Sequence, residues 1–213
     1  SLDSLDDATF RRMNGVDFPV AKVLDGIDAA VEAGLGPVKV NVVLKRGEND
    51  GGVVDLARWA RDAGHILRFI EYMDVGTTNG WRLDDVVTAA EIAAAIDAEL
   101  PIEPVAASYR GEVAERWRYR DGSGEIGIIA SVTRPFCGNC TRARLSADGK
   151  LYTCLFGVDG RDLREPLRSG ASDADLRDLI ASVWHRRGDR YSELRAAATS
   201  NRLPKVEMFA IGG

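Results

Sequence analysis

All three cysteines of this 213-residue chain, Cys137, Cys140 and Cys154, lie in one stretch. Cys137 and Cys140 are separated by Gly138-Asn139, and Cys154 follows a short segment carrying Asp148-Gly149. Asp-Gly between alternating runs is a tight-hairpin signal. It predicts strands over roughly Thr141 to Ala147 and Lys150 to Leu155. The turn would bring Cys154 back beside Cys137 and Cys140, so that three thiols converge on one point.

Three chemistries compete for converging thiols. A disulfide uses two and leaves one over, and nothing in the sequence points to secretion. Zinc prefers four closed ligands, and the only histidines, His65 and His185, are far off in helix-like segments. An iron–sulfur cluster is held by thiolates, usually four, so three would leave one iron open to a non-protein ligand. Arg142 and Arg144 alternate on the predicted strand, which puts both on one face. Guanidinium groups suit bidentate phosphate contacts; the plain alternative is a pair of solvated arginines.

The pattern Phe136-Cys137-x-x-Cys140-x-Arg142-x-Arg144-Leu145, then Asp148-Gly149-x-Leu151 and Cys154-Leu155, resembles the C-terminal cluster motif of the GTP 3',8-cyclase family. These are radical S-adenosylmethionine (SAM) enzymes that open molybdenum-cofactor biosynthesis. The closing Ile211-Gly212-Gly213, the opening Ser1-Leu2-Asp3-Ser4-Leu5, Val38-Lys39-Val40-Asn41, and Arg68-Phe69-Ile70-Glu71-Tyr72-Met73 are also similar to that family. The resemblance implies that Cys137, Cys140 and Cys154 hold a 4Fe–4S cluster. It implies that Lys39, Arg142, Ala143 and Arg144 contact GTP, and that Ser1 and Met73 contact SAM. It further implies that Gly212 and Gly213 enter the active site as a tail without side chains, and that the reaction is radical conversion of GTP to 3',8-cyclo-7,8-dihydro-GTP.

The family's Cys-x-x-x-Cys-x-x-Cys loop for the radical-generating cluster does not occur in the sequence. The resemblance is therefore to the C-terminal part of such an enzyme, inactive alone. It implies a missing N-terminal half-barrel carrying a second 4Fe–4S cluster, and a homodimer in the full-length enzyme. Two rivals stand beside it: another radical SAM enzyme with an auxiliary cluster acting on a peptide, and a structural zinc module.

The rest of the chain alternates strand and helix. Helices are expected from Asp6 or Asp7 to Met13, from Pro19 to about Ala33, and over Val53 to Ala63. Strands are expected over Pro37 to Leu44 and Ile66 to Glu71. Thr88 to Glu91 reads as a capping box opening a helix to about Leu100. Short strands follow, and Asp173 to Arg187 is again helical. The fold class is α/β: an incomplete TIM-type parallel βα barrel over residues 1–86, then an α+β cluster-binding domain over 87–213. Lys39 and Asn41 break the apolar pattern on one face of their strand, as at the mouth of a barrel. Arg186-Arg187 suit a helix end and carry no expected catalytic role. A net charge of -5 argues against nucleic acid or an anionic membrane surface as partner. Three clustered cysteines fit a reducing cytoplasm.

Overall fold

The structure, a computed structural model, describes residues 1–76, 80–195 and 206–208. Helix α1, Asp7–Asn14, starts where the Asp6 carboxylate accepts from the Thr9 N–H at 2.9 Å, and ends at Gly15 in the left-handed region. Helix α2, Val20–Glu32, begins directly after Pro19, whose ring presets the entry. Strand β1, Lys39–Leu44, leads through helix α3, Val53–Asp62, to strand β2, Ile66–Glu71. Helix α4, Ala89–Glu99, opens on the expected capping box of Thr88 and Glu91. Strands β3, Ile102–Val105, β4, Glu115–Tyr119, and β5, Glu125–Ile129, follow.

These five strands form one sheet in the order β1-β2-β5-β4-β3. β1, β2 and β5 are parallel, and β5, β4 and β3 are antiparallel, so the sheet is mixed. Alternation sorts its faces. Val40, Val42, Leu44, Leu67, Phe69, Ile126 and Ile128 are buried, together with Leu56, Ala57 and Ala60 of α3 and Ile92 and Ile96 of α4. Each large aliphatic side chain hidden there contributes ~1.5–3 kcal/mol. The intervening positions carry exposed Lys39 and half-buried Asn41 and Arg68, with Asn41 and Arg68 in register.

The chain divides into two compact units: residues 1–73 with 82–135, and residues 74–81 with 136–213. β5 completes the parallel set by bonding β2, and carries β4 and β3 into the same sheet.

In the second unit, strands β6, Arg144–Leu145, β7, Lys150–Tyr152, and β8, Arg161–Asp162, form an antiparallel sheet. The Asp-Gly hairpin is present, with Gly149 at φ 84 and the Lys150 N–H donating to Ser146 Oγ at 3.1 Å. A Cβ at Gly149 would lie 2.7 Å from Arg164 Cβ, so the turn needs glycine twice over. The paired strands are shorter than expected because both cysteine segments leave the ladder for tight turns. Helices α5, Arg164–Arg168, α6, Asp173–His185, and α7, Tyr191–Leu194, complete the described elements. Among the described residues, no helix is long and apolar enough to cross a membrane.

Candidate functional site

The cysteine segment begins as a 3-10 turn over Cys137–Asn139, closed by the Cys140 N–H donating to Cys137 O at 3.3 Å. The Gly138 N–H donates to Glu193 Oε1 at 3.2 Å, tying this turn to α7. Cys154 sits two residues beyond β7, in a turn where the Gly157 N–H donates to Cys154 O at 3.1 Å. The Phe156 N–H points at Cys154 Sγ at 3.4 Å. All three thiols are free and half-buried.

Their electrostatics show a shared neighbourhood. Burial pushes the Cys140 thiol up, but hydrogen bonds from the Arg142 side chain and backbone, the Arg142 charge and Arg187 outweigh it. The net effect holds Cys140 below the ordinary thiol range. Burial pushes Cys154 up; the Phe156 N–H opposes this, while Asp189 and Cys137 add to it. Burial and the Arg142 charge lower the Arg144 guanidinium, and Cys154 and Cys140 act in the other direction. The hairpin thus brings Arg144 within electrostatic reach of two thiols, and Cys137 within reach of Cys154.

Arg142 and Ala143 are exposed and precede β6, so strand alternation does not orient Arg142 as expected. Its guanidinium instead lies 5.1 Å from the Phe136 ring centroid and serves Cys140. Arg144, in β6, is half-buried. The donor set is soft thiolate sulfur with a backbone N–H aimed at one sulfur, which fits an iron–sulfur centre. Among the described residues, no three His, Cys, Asp or Glu side chains are already gathered for a metal ion. Cys140 and Cys154 share Arg144 as a neighbour and Cys137 acts on Cys154, short of a closed centre.

In the first unit, Ser1 is exposed, and its neighbour Leu2 donates its N–H to Asn41 O at 2.9 Å along β1. Lys39 stands at the amino end of β1, opposite Ile66. Met73 lies two residues past the carboxyl end of β2 and is half-buried. Five strand steps at ~3.3 Å each set the level of Lys39 roughly 17 Å from the carboxyl end of β2, so Lys39 and Met73 are at opposite ends of the sheet. Arg68, not singled out in the sequence, shares the polar face with Lys39 and Asn41; its alternation with Leu67 and Phe69 was the available signal. Gly212 and Gly213 lie outside the described residues.

Several other residues escaped the sequence reading. The Glu71 carboxylate is wholly buried and accepts from the Ala89 N–H at 2.7 Å, the Val132 N–H at 2.7 Å, the Thr133 N–H at 2.8 Å and Thr133 Oγ1 at 2.5 Å. In the second unit, Tyr191 donates its hydroxyl to Asp74 Oδ2 at 2.6 Å, and Arg195 pairs with the same carboxylate. The Tyr191 ring stacks on Phe156 at 4.2 Å. The reading of Arg187 as a solvated helix end does not hold. Its side chain is 12% exposed, and it donates to Cys140 O. No local pattern announces such pairs, because their partners are far apart in the chain.

The Molybdenum Cofactor Synthesis C family model matches residues 65–193. Among curated relatives, a GTP 3',8-cyclase of Acidothermus cellulolyticus is 59% identical over 92% of this chain and 55% of its own length. One from Xanthomonas axonopodis pv. citri is 49% identical over the whole chain and 63% of its own length. One from a Synechococcus species is 43% identical, again over the whole chain, and 65% of its own length. The chain thus spans between 55% and 65% of these relatives. With a family match that includes both β2 and the complete cysteine hairpin, the chain belongs to the Molybdenum Cofactor Synthesis C family.

Proposed function

We propose that this chain supplies the GTP-binding part of a GTP 3',8-cyclase acting in molybdenum-cofactor biosynthesis. The observation that supports the reading is that two free thiols, Cys140 and Cys154, lie within electrostatic reach of Arg144, with Arg142 acting on Cys140 and Cys137 acting on Cys154. Cys137, Cys140 and Cys154 would hold a 4Fe–4S cluster. When bound, that cluster supplies a Lewis-acidic iron, and SAM supplies the radical that takes hydrogen from the GTP ribose.

The chain's own residues bind and orient. Arg142 and Arg144 grip phosphate oxygens through forked, charge-assisted hydrogen bonds. Ala143, between them, has a side chain small enough to let the nucleotide approach its backbone. Lys39 and Arg68 present two more cations on one face of the first sheet. Orientation matters because ring closure requires the ribose carbon and guanine C8 to be held in near-attack geometry. Ser1 and Met73 would contact SAM, and the Gly212-Gly213 tail would approach a crowded site closely. The three parallel strands β1, β2 and β5 would form the latter part of a partial barrel, completed by a preceding half-barrel. A homodimer and a reducing cytoplasm complete this reading.

Equilibrium dialysis of GTP against the anaerobically reconstituted protein tests it. Arg142→Ala and Arg144→Ala are each expected to weaken GTP binding by roughly 10- to 150-fold, the loss of one charge-assisted pair of ~1.5–3 kcal/mol. Unchanged GTP binding by the double variant, or preferential binding of a peptide, sinks the assignment.

A further inference from the structure

Cys140 and Cys154 are proposed ligands of one centre, yet the β-ladder fixes neither. β6 begins at Arg144 and β7 ends at Tyr152, so Cys140 lies four residues before the paired segment and Cys154 two residues after it. Something outside the ladder must set the distance between the two segments.

The described residues contain such a link. Arg187 follows α6, with its N–H donating to Trp184 O at 3.1 Å. Its guanidinium lies 5.0 Å from the Trp184 ring centroid, which holds the plane of the fork. One arm, Nη1, donates to Cys140 O. Nε faces Asp189 Oδ2 at 3.2 Å. The same Oδ2 accepts from Thr153 Oγ1 at 2.6 Å, and Thr153 is the residue before Cys154. A continuous path therefore runs from the Cys140 backbone through Arg187 and Asp189 to the neighbour of Cys154.

Arginine is suited to this task. A planar fork reaches a carbonyl and a carboxylate at once, whereas a lysine ammonium is a single point. The guanidinium also brings positive charge to a place where thiolates must gather against their mutual repulsion. Asp189 supplies the counter-charge, so the half-buried pair remains neutral.

We propose that Arg187 and Asp189 form a clasp that sets the separation of the Cys140 and Cys154 segments, acting as positioning residues for the cysteine ligand set. The clasp rests on the reading of the cysteines as ligands of one centre, and its test is separable from that reading. Phenylarsine oxide condenses with two thiols, forming two arsenic–sulfur bonds and releasing one water, so its affinity reports how readily two thiols meet. In metal-free Cys137→Ser protein, only Cys140 and Cys154 remain to bind it.

Arg187→Ala in that background is expected to weaken arsenical binding at least tenfold. Arg187→Lys should fall between, and Thr153→Val should weaken binding several-fold with the arginine intact. Far-UV circular dichroism and the thermal midpoint show whether each variant is folded. If Arg187→Ala is not folded, Thr153→Val decides alone. Arsenical binding as tight as the parent's in the folded variants overturns the clasp. Iron uptake by the reconstituted wild-type chain is read separately. A wild-type chain that takes up no iron removes the cluster reading, and the arsenical series still judges the clasp.

Discussion

Asp74 Oδ1 and Arg195 Nε meet at 2.6 Å, with side chains 0% and 3% exposed. The guanidinium lies 5.0 Å from the Phe156 ring centroid and 5.8 Å from that of Tyr191. Tyr191 donates to the other carboxylate oxygen. This buried pair joins Asp74 to Phe156 in the turn that holds Cys154. Removing one partner strands the other charge, at a cost of about 3–5 kcal/mol. Asp74→Ala is therefore expected to lower stability by that amount in chemical denaturation. A loss below about 1 kcal/mol would mean that the pair is dispensable.

Alkaline pH should weaken the fold. Burial pushes the Tyr119 hydroxyl up to about 12, and that hydroxyl donates to Ala57 O at 3.2 Å. Burial, the hydrogen bond to Asp74 and the Asp74 charge also raise Tyr191. An unfolded tyrosine ionises near ~10. Each raised group thus contributes stability that is complete below ~10 and is lost as pH rises through its folded value. Unfolding followed between pH ~10 and ~12 should show this fall. Tyr119→Phe should flatten part of it, and an unchanged slope in that variant contradicts the assignment.

Cys140 and Cys154 should differ in reactivity. In Cys140 the contacts from Arg142 outweigh burial, whereas in Cys154 burial prevails. The thiolate is the reactive form, so a lower value means reaction at lower pH. Alkylation of metal-free protein, read by peptide mass spectrometry, should label Cys140 at lower pH than Cys154. Arg142→Ala should move the Cys140 profile to higher pH. Coincident profiles for the two cysteines in the wild type would count against this electrostatic picture.

Glu71 binds three backbone N–H groups that belong to two separate stretches of the chain. One is the first helical residue of α4, where a negative charge also meets the helix dipole. Glu71→Ala leaves these donors unsatisfied, each at ~1–3 kcal/mol. A loss of at least about 3 kcal/mol is expected in urea unfolding. Glu71→Gln keeps one acceptor oxygen and should lose less. Equal losses in the two variants would mean that packing, not hydrogen bonding, dominates the site.

The sequence showed what is local. Asp6, the Thr88–Glu91 box and Asp148-Gly149 each act within a few residues, and each stands where expected. The strands of the first sheet are legible for the same reason, since alternation is written in the strand itself. Sheet order is not local: nothing in Glu125–Ile129 says that it pairs with β2. Arg187 shows the same limit at the candidate site. Its arginine side chain reads equally as a helix-end cation, and only the folded chain brings Cys140 and Asp189 to it. Arg142 shows the reverse, because its expected direction came from a strand that begins two residues later.

Whether Cys137, Cys140 and Cys154 bind one iron–sulfur centre is measured by iron and sulfide content, with electron paramagnetic resonance, after anaerobic reconstitution of the wild-type and Cys154→Ala proteins. The expected result is about four irons per wild-type chain and a reduced-cluster signal; in Cys154→Ala both should be largely lost. Stoichiometric zinc with no iron uptake, or an unchanged cluster signal in Cys154→Ala, would contradict it.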